Sequence, residues 1–152
     1  MTQDKTIARN RKARYEYEIL DTIEAGLVLT GTEIKAIREG RVNLGDSYAK
    51  PEGGELWLHN LHIAQYSAGS NNNHDPTRRR KLLLHKDQIR RLSREVSEKG
   101  HTIVPLKLYV TRHVAKVELA LARGRRQHDK RQAIIERYRE REAQEALSNR
   151  RQ

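Results

Sequence analysis

The chain has no cysteine and no phenylalanine, one tryptophan and three prolines among its 152 residues. Without cysteine there can be neither a disulfide framework nor a thiolate metal site. Without phenylalanine, any stacking on a nucleobase must come from Trp57, the six tyrosines, histidine or arginine. No apolar run approaches the ~20 residues of a membrane-crossing helix. Met1 to Arg14 holds no apolar stretch of the kind a signal peptide needs. A soluble, cytoplasmic protein with no membrane partner is therefore expected. Catalytic motifs are equally scarce: there is no glycine-rich phosphate loop and no nucleophile elbow. His59 and His62 have a spacing that can bind metal on a helix, but no third ligand stands nearby. No enzymatic chemistry, metal or cofactor is expected.

Positive charge is what the chain has in excess. Charged residues make up 34% of it and the net charge is +11, against a charged fraction of roughly 25% in an ordinary domain. Such a balance favours a polyanionic partner, nucleic acid first and anionic lipid second. The cations form four clusters: Arg9–Arg14, Arg78–Lys81, Arg90–Arg94 and Arg123–Arg131. Any one alone reads as a solvated face. Four together point to RNA or DNA, with an affinity that falls steeply as salt rises.

Along the chain, residues 1–14 read as a basic N-terminal arm. Tyr15–Leu20 alternates like a half-buried strand, and Gly26–Leu29 reads as a second strand paired with it. Thr30-Gly-Thr-Glu33 fits a capping box that opens a short helix ending near Gly40. Ser47–Lys50 and Glu55–Leu58 read as strands around the turn Pro51-Glu-Gly-Gly54. Asn60–Ala64 suggests a helical turn, and Ser67–Asp75 a loop. Lys86–Lys99 repeats apolar residues at Ile89, Leu92 and Val96, as an amphipathic helix does, and Gly100 ends it. Two long alternating strands follow. Leu106, Leu108 and Val110 share a face of the first, and Ala115, Val117, Leu119 and Leu121 share a face of the second. Arg112 and His113 lie at the turn between them.

About six strands and two helices in ~110 residues suggest a mainly β, closed barrel of the oligonucleotide-binding type, plugged by its helices. Residues 15–123 form this body. Residues 124–152 form a basic tail, and residues 123–152 hold ten Lys/Arg against five Asp/Glu. Glu136 with Arg139, and Arg141 with Glu145, can pair on the surface of a helical tail. Its apolar seam, Ile134, Ile135, Tyr138 and Leu147, is thin. Such a tail is expected to be disordered alone and helical when bound. Glu24 stands out as a carboxylate between two expected strands of a basic protein, able to accept from base amino groups or 2′-hydroxyls. On the residues alone an RNA-binding adaptor, an RNA-processing enzyme and a structural ribosomal protein all remain open.

Five ordered motifs narrow this. They are Asn10-Arg-Lys-Ala-Arg-Tyr-Glu-Tyr17, Glu24-Ala-Gly-Leu27, Gly31-Thr-Glu-Ile-Lys35, Asp75-Pro-Thr-Arg78 with Arg80-Lys-Leu-Leu-Leu84, and Gly124-Arg-Arg with Asp129-Lys-Arg131. Together the sequence resembles the small protein B family, the SsrA-binding proteins of bacteria. The resemblance implies an oligonucleotide-binding-type barrel with three helices. It implies binding to the tRNA-like domain of transfer-messenger RNA (SsrA), delivery of that RNA to ribosomes stalled without a usable codon, and trans-translation. Elongation factor Tu and alanyl-tRNA synthetase would act on the same RNA, and the protein would be a monomer in a 1:1 complex with it. By position, Asn10, Tyr17, Glu24 and Leu83 match residues implicated in RNA binding, with Arg11, Lys12, Arg14, Lys35, Arg78, Arg80 and Lys81 in support. Gly124, Arg125, Arg126, Asp129, Lys130 and Arg131 match the segment that works in the ribosomal decoding centre. Ile134 and Tyr138 extend it along the mRNA channel. Arg125 and Arg126 stand where lysine is common, which keeps the charge, and Tyr15 stands where many relatives carry histidine.

Overall fold

A computed structural model describes residues 5–67, 73–111, 114–124 and 127–150, with the backbone course alone at 127–130, 132, 133 and 148–150. In chain order the elements are β1 (Lys5–Arg9), α1 (Ala13–Glu16), β2 (Tyr17–Leu27), α2 (Gly31–Arg38), β3 (Val42–Asn43), β4 (Tyr48–Glu52) and β5 (Glu55–His59). They continue with β6 (His62–Ile63), β7 (Arg80–Leu83), α3 (Lys86–Lys99), β8 (Thr102–Thr111), β9 (Val114–Gly124) and α4 (Gln127–Arg150).

The strands close on themselves. Hydrogen bonding runs β8-β4-β5-β7-β2-β9, and β9 returns to β8. Every pairing in this six-strand ring is antiparallel. One long edge of β8 pairs with β9. The opposite edge is shared, its start meeting β4 at Ala49↔Ile103 and its end meeting β1 from Lys5↔Val110 to Arg9↔Lys107. The ring encloses Leu56, Leu58, Leu82, Ile103, Leu108, Val117 and Leu119, all fully buried, with Ile37 of α2 and Ile89 and Leu92 of α3 packed into the same core.

Two β-bulges create a second, smaller core outside the ring. A register shift between Ile19 and Asp21 puts Ile19 on the outer face of β2 while Ile23 and Ala25 face inward. A shift between Pro105 and Lys107 does the same to Leu106. Leu106, Val104, Ala120 and Ala122 then pack under Ala13 of α1, with Tyr17 and Ile19 alongside. Leu106 therefore does not share a face with Leu108 and Val110, because the extra residue of a bulge reverses side-chain alternation.

Local signals act where the sequence placed them. The Thr30 side chain accepts from the Glu33 amide (3.4 Å), and Glu33 Oε1 accepts from the Thr30 amide (2.8 Å). The φ angles of Gly53 and Gly54 are +58° and +77°, which the two-residue turn between Glu52 and Glu55 requires. Pro51 lies inside β4, so the turn is shorter than Pro51–Gly54. Gly100 ends α3 in the left-handed region.

Three expectations change. Tyr15–Leu20 and Gly26–Leu29 are not a strand pair: Tyr17–Leu27 is one continuous strand, and Tyr15 belongs to α1. Asp21, Thr22 and Glu24 looked like a polar link because they are exposed positions of that strand. The first residues are not wholly an arm, since Lys5–Arg9 adds to the sheet. Asn60–Ala64 is not a helical turn: Asn60 takes φ +63° and His62–Ile63 pairs with Val42–Asn43. Among the described residues three helices, α1, α2 and α3, accompany the ring, as the resemblance implies, and the tail adds α4. The turn residues Arg112 and His113 lie outside the described residues.

Candidate nucleic-acid interface

The sequence places Glu24 and Leu83 far apart, and the ring brings them together. β2 and β7 meet at Gly26↔Leu83. A shallow depression of about 390 Å³ there is lined by Glu24, Gly26, Leu83, His85, Gln88 and Lys116. Leu83 is 52% exposed although it is a large apolar residue. A Cβ at position 26 would stand 3.3 Å from the Leu83 Cβ, so glycine is what lets the two strands present Leu83 in this way.

Glu24 faces outward in a ladder of alternating charge. It lies opposite Glu118, and Lys116 Nζ donates to its Oε1 at 2.9 Å. Lys107 Nζ is 3.6 Å from Glu118. The Tyr109 hydroxyl and the Lys116 ammonium, in that order, hold the Glu24 carboxyl below its ordinary value. A carboxylate that stays ionised and exposed can accept from amino or hydroxyl groups of a nucleic acid. Tyr109, Lys107 and Lys116 were missed from sequence because they occupy the polar positions of regularly alternating strands, where nothing marks one polar residue above another.

The N-terminal residues form a second patch. The Asn10 backbone N–H donates to the Leu106 carbonyl (2.8 Å) and its side-chain amide to the Pro105 carbonyl (3.0 Å). Asn10 thus pins the β1–α1 corner to the bulge of β8. Lys12, Tyr17 and Asn10 line one side of that corner together with Tyr48. Arg11, Arg14 and Asn10 line the other, with Lys107 and Arg137.

The Arg78–Lys81 run does not behave as one patch. Arg80 is fully buried. Its Nε donates to Glu33 Oε2 (2.6 Å), its Nη1 to the Leu61 carbonyl, and its Nη2 to the Asp75 and Pro76 carbonyls (3.4 and 3.1 Å). Arg78 Nε also donates to Glu33 Oε2 (3.1 Å), and Arg78 Nη2 to Glu33 Oε1. Burial alone would raise the Glu33 carboxyl, but Arg78, the Thr30 amide and Arg80 outweigh it and leave it lowered. Burial pulls the Arg80 guanidinium down, against the pull of Glu33. Beside this pair, His74 Nε2 faces the Ile63 carbonyl and its Nδ1 faces the Thr32 hydroxyl, each at 2.9 Å. Nε2 carries a hydrogen toward the carbonyl, and Nδ1 shares a hydrogen bond with the Thr32 hydroxyl. Arg80, expected among the RNA-contacting cations, is corrected to an internal ligand of Glu33 that shapes the 74–80 segment, because a buried charge persists only when fully paired. Lys81 is partly exposed, 3.6 Å from Glu55, and Lys35 of α2 lies 5.4 Å over the Tyr66 ring.

The tail begins where β9 ends at Gly124. Arg125 and Arg126 lie outside the described residues. Asp129 and Lys130 lie in the first turns of α4, and Arg131 is exposed. Ile134, Ile135, Tyr138 and Leu147 are exposed by 50%, 40%, 64% and 58%, so among its described residues this helix buries almost nothing. Among the described residues of α4 the expected pairs Glu136–Arg139 and Arg141–Glu145 are not formed. Surface pairs of this kind contribute only a few tenths of a kcal/mol, too little to fix two long side chains.

Among the described residues, no helix is long and apolar enough to cross a membrane, and no three His, Asp or Glu side chains gather as for a metal ion. His59 stacks on Tyr48, on a strand separate from that of His62.

A small antiparallel ring with helices packed against it and exposed basic faces is an architecture of the oligonucleotide-binding class. Comparison with known proteins makes this particular. The family model described as SmpB protein matches residues 7–149, and the chain belongs to that family. The SsrA-binding protein of Thermobifida fusca is 55% identical over 147 residues, covering 97% of this chain and 92% of that one. The SsrA-binding protein of Halothermothrix orenii is 51% identical over 152 residues, covering 99% and 98%. A solved structure described as "tmRNA-SmpB: a journey to the center of the bacterial ribosome" is 53% identical, with a TM-score of 0.67, and covers 84% of this chain and 93% of that one.

Proposed function

We propose that this chain is an RNA-binding adaptor. It binds the tRNA-like domain of transfer-messenger RNA (SsrA) and carries it to ribosomes stalled without a usable codon, so that trans-translation can tag the nascent chain. The observation that carries this reading is the near full-length similarity to proteins named for binding SsrA, with a related structure described in terms of tmRNA and the ribosome. The charge distribution agrees with it: +11 overall, with exposed cations on the ring and along the tail.

The division of labour follows the fold. Residues 15–123 hold RNA. Glu24 accepts hydrogen bonds, Leu83 supplies an apolar contact beside it, and Lys81 and Lys35 neutralise phosphate. Arg11, Lys12 and Arg14 neutralise phosphate at the second patch, where Asn10 and Tyr17 set the corner. Arg78 and Arg80 act through Glu33 by holding the 74–80 segment in place. The tail, from Gly124 through Arg125, Arg126, Asp129, Lys130 and Arg131 to Ile134 and Tyr138, enters the decoding centre and the mRNA channel. Entry there depends on mRNA being absent, so selectivity comes from steric exclusion and phosphate neutralisation, not base readout. The adaptor is a monomer in a 1:1 complex with the RNA and works in the cytoplasm. Elongation factor Tu and alanyl-tRNA synthetase act on the same RNA, and the chain itself carries out no bond chemistry.

The test is to sequence the RNA that co-purifies with tagged protein. A single dominant species with both tRNA-like and coding parts is expected. A broad mixture of cellular RNA, or equal recovery with every ribosome, would overturn the reading and favour a structural ribosomal protein.

A further inference from the structure

Of the residues given a role so far, only Lys81 lies on one outward face of the ring. β4, β5 and β7 lie side by side, and their outward positions form rungs across the sheet. The central rung is Lys50↔Trp57↔Lys81, which places the sole tryptophan between two lysines. The neighbouring rung starts with Tyr48↔His59, whose rings are stacked with centroids 5.4 Å apart and planes 11° from parallel. Just before β7, Arg79 lays its guanidinium 4.0 Å from the Trp57 ring centroid. Glu52 stands between the two stacks. It accepts from Arg79 Nη1 and lies 2.9 Å from His59 Nε2, a contact short enough for an ion pair but too poorly aligned to be a hydrogen bond.

We infer that this face is a stacking platform for unpaired nucleobases, with Trp57 and the Tyr48–His59 pair as π surfaces and Lys50, Arg79 and Lys81 as phosphate partners. The inference rests on the RNA-binding reading above and extends it to a surface and to a form of RNA. Three arguments carry it. Flat π groups interleaved with cations are what sequence-tolerant single-strand binding needs, since every base has a π face and every linkage a charge. Stabilising a hairpin calls for cross-strand pairs, but not for exposed π groups: Tyr48 is 38% exposed, and the Arg79 side chain that lies over Trp57 is 51% exposed. The face is also continuous through Lys81 with Leu83 and the Glu24 depression, so one RNA can cover both. Lys50 and Lys81 sit two strands apart, roughly 10 Å at the usual spacing, which brackets a base laid on the Trp57–Arg79 stack between them.

Because Trp57 is the only tryptophan, its emission reports on this face alone. The full chain would be titrated with an unpaired oligoadenylate about ten nucleotides long, within the span one such ring covers. A blunt RNA duplex of the same length would be the control, and a labelled structured RNA with a tRNA-like end would measure overall binding. Saturable quenching by the oligoadenylate and little change with the duplex are expected. Trp57→Ala should weaken the oligoadenylate at least about fivefold, while Trp57→Phe keeps most of the affinity. Should Trp57→Ala fail to fold, Tyr48→Leu, on the rim of the platform, should show the same selective loss. Unchanged emission with the oligoadenylate, or equal quenching by the duplex, while the structured RNA still binds tightly would overturn the platform and leave the adaptor reading intact. Failure of all three RNAs to bind would overturn both.

Discussion

The arginines of the 78–81 run and those of α4 are alike as sequence and opposite as structure. In the first, each of four consecutive cations has a partner: Arg78 and Arg80 share Glu33, Arg79 covers Trp57 and meets Glu52, and Lys81 lies near Glu55. In the second, Arg131, Arg137, Arg139 and Arg141 are exposed on a helix that buries almost nothing. A run of positive charge is therefore neither a binding site nor a solvated face by itself. The fold uses Arg78 and Arg80 to define its own shape, keeps Arg79 and Lys81 at the surface beside weaker partners, and leaves the described arginines of α4 open.

The comparison can be broken at either end. The largest effect expected is functional. Deleting residues 124–152 should abolish tagging of stalled nascent chains while RNA affinity stays within about tenfold, as the proposed assignment of the phosphate contacts mainly to the ring requires. A truncated protein that still supports tagging refutes the division of labour. Next, in the free protein, amide hydrogens from Ile134 to Leu147 should exchange nearly as fast as in an unstructured peptide, since the side chains described on this helix are all exposed and have little to hold it. Strong protection of that stretch would sink the idea that it orders on binding.

Inside the ring, Glu33→Ala should cost about 3–5 kcal/mol in urea unfolding, because it leaves Arg80 buried and uncompensated. A loss below about 1 kcal/mol, the range of an exposed pair, would show that Arg80 does not need its partner. The pH dependence has a definite sign. The Glu33 carboxyl is lowered in the folded protein, so the stability it contributes is present above the ordinary carboxylate range and is lost as pH falls through the lowered value. Acid melts of the wild type should show that loss, and Glu33→Gln should not. Smallest of all, Arg91→Ala removes a pair with Asp21 at the surface, where both side chains are about half exposed. A loss under about 1 kcal/mol is expected, vanishing at high salt.

Features carried by neighbouring residues were legible in the sequence: the Thr30–Glu33 box, the Gly53–Gly54 turn, α3 with its Gly100 stop, and the alternation of β9 and of β8 beyond Leu106. Features needing a distant partner were not. Nothing in Arg78-Arg-Arg-Lys81 says which cation turns inward, because the deciding carboxylate is Glu33, 47 positions before Arg80. The bulges were invisible for a similar reason: each depends on the register of the opposing strand, not on a residue type at the bulge. Strands β3 and β6, two residues each, are too short to carry a period at all. Of the candidate site, Glu24 and Leu83 could be named separately, but their shared depression exists only once β2 lies beside β7.

The closing of the ring by β9 also bears on how the protein comes into being. β9 pairs along nearly the whole of β2 and of β8, and β1 near the start of the chain pairs only with β8. The last strand to be synthesised is thus the one on which the earlier strands wait. Loop closure across so much chain is slow, on the ms–s scale typical of non-local β topologies. A product cut short within β9 would be left with unpaired edges on β2 and β8, and such edges invite aggregation or degradation. Native structure is in effect available only to chains that were finished at least as far as Gly124.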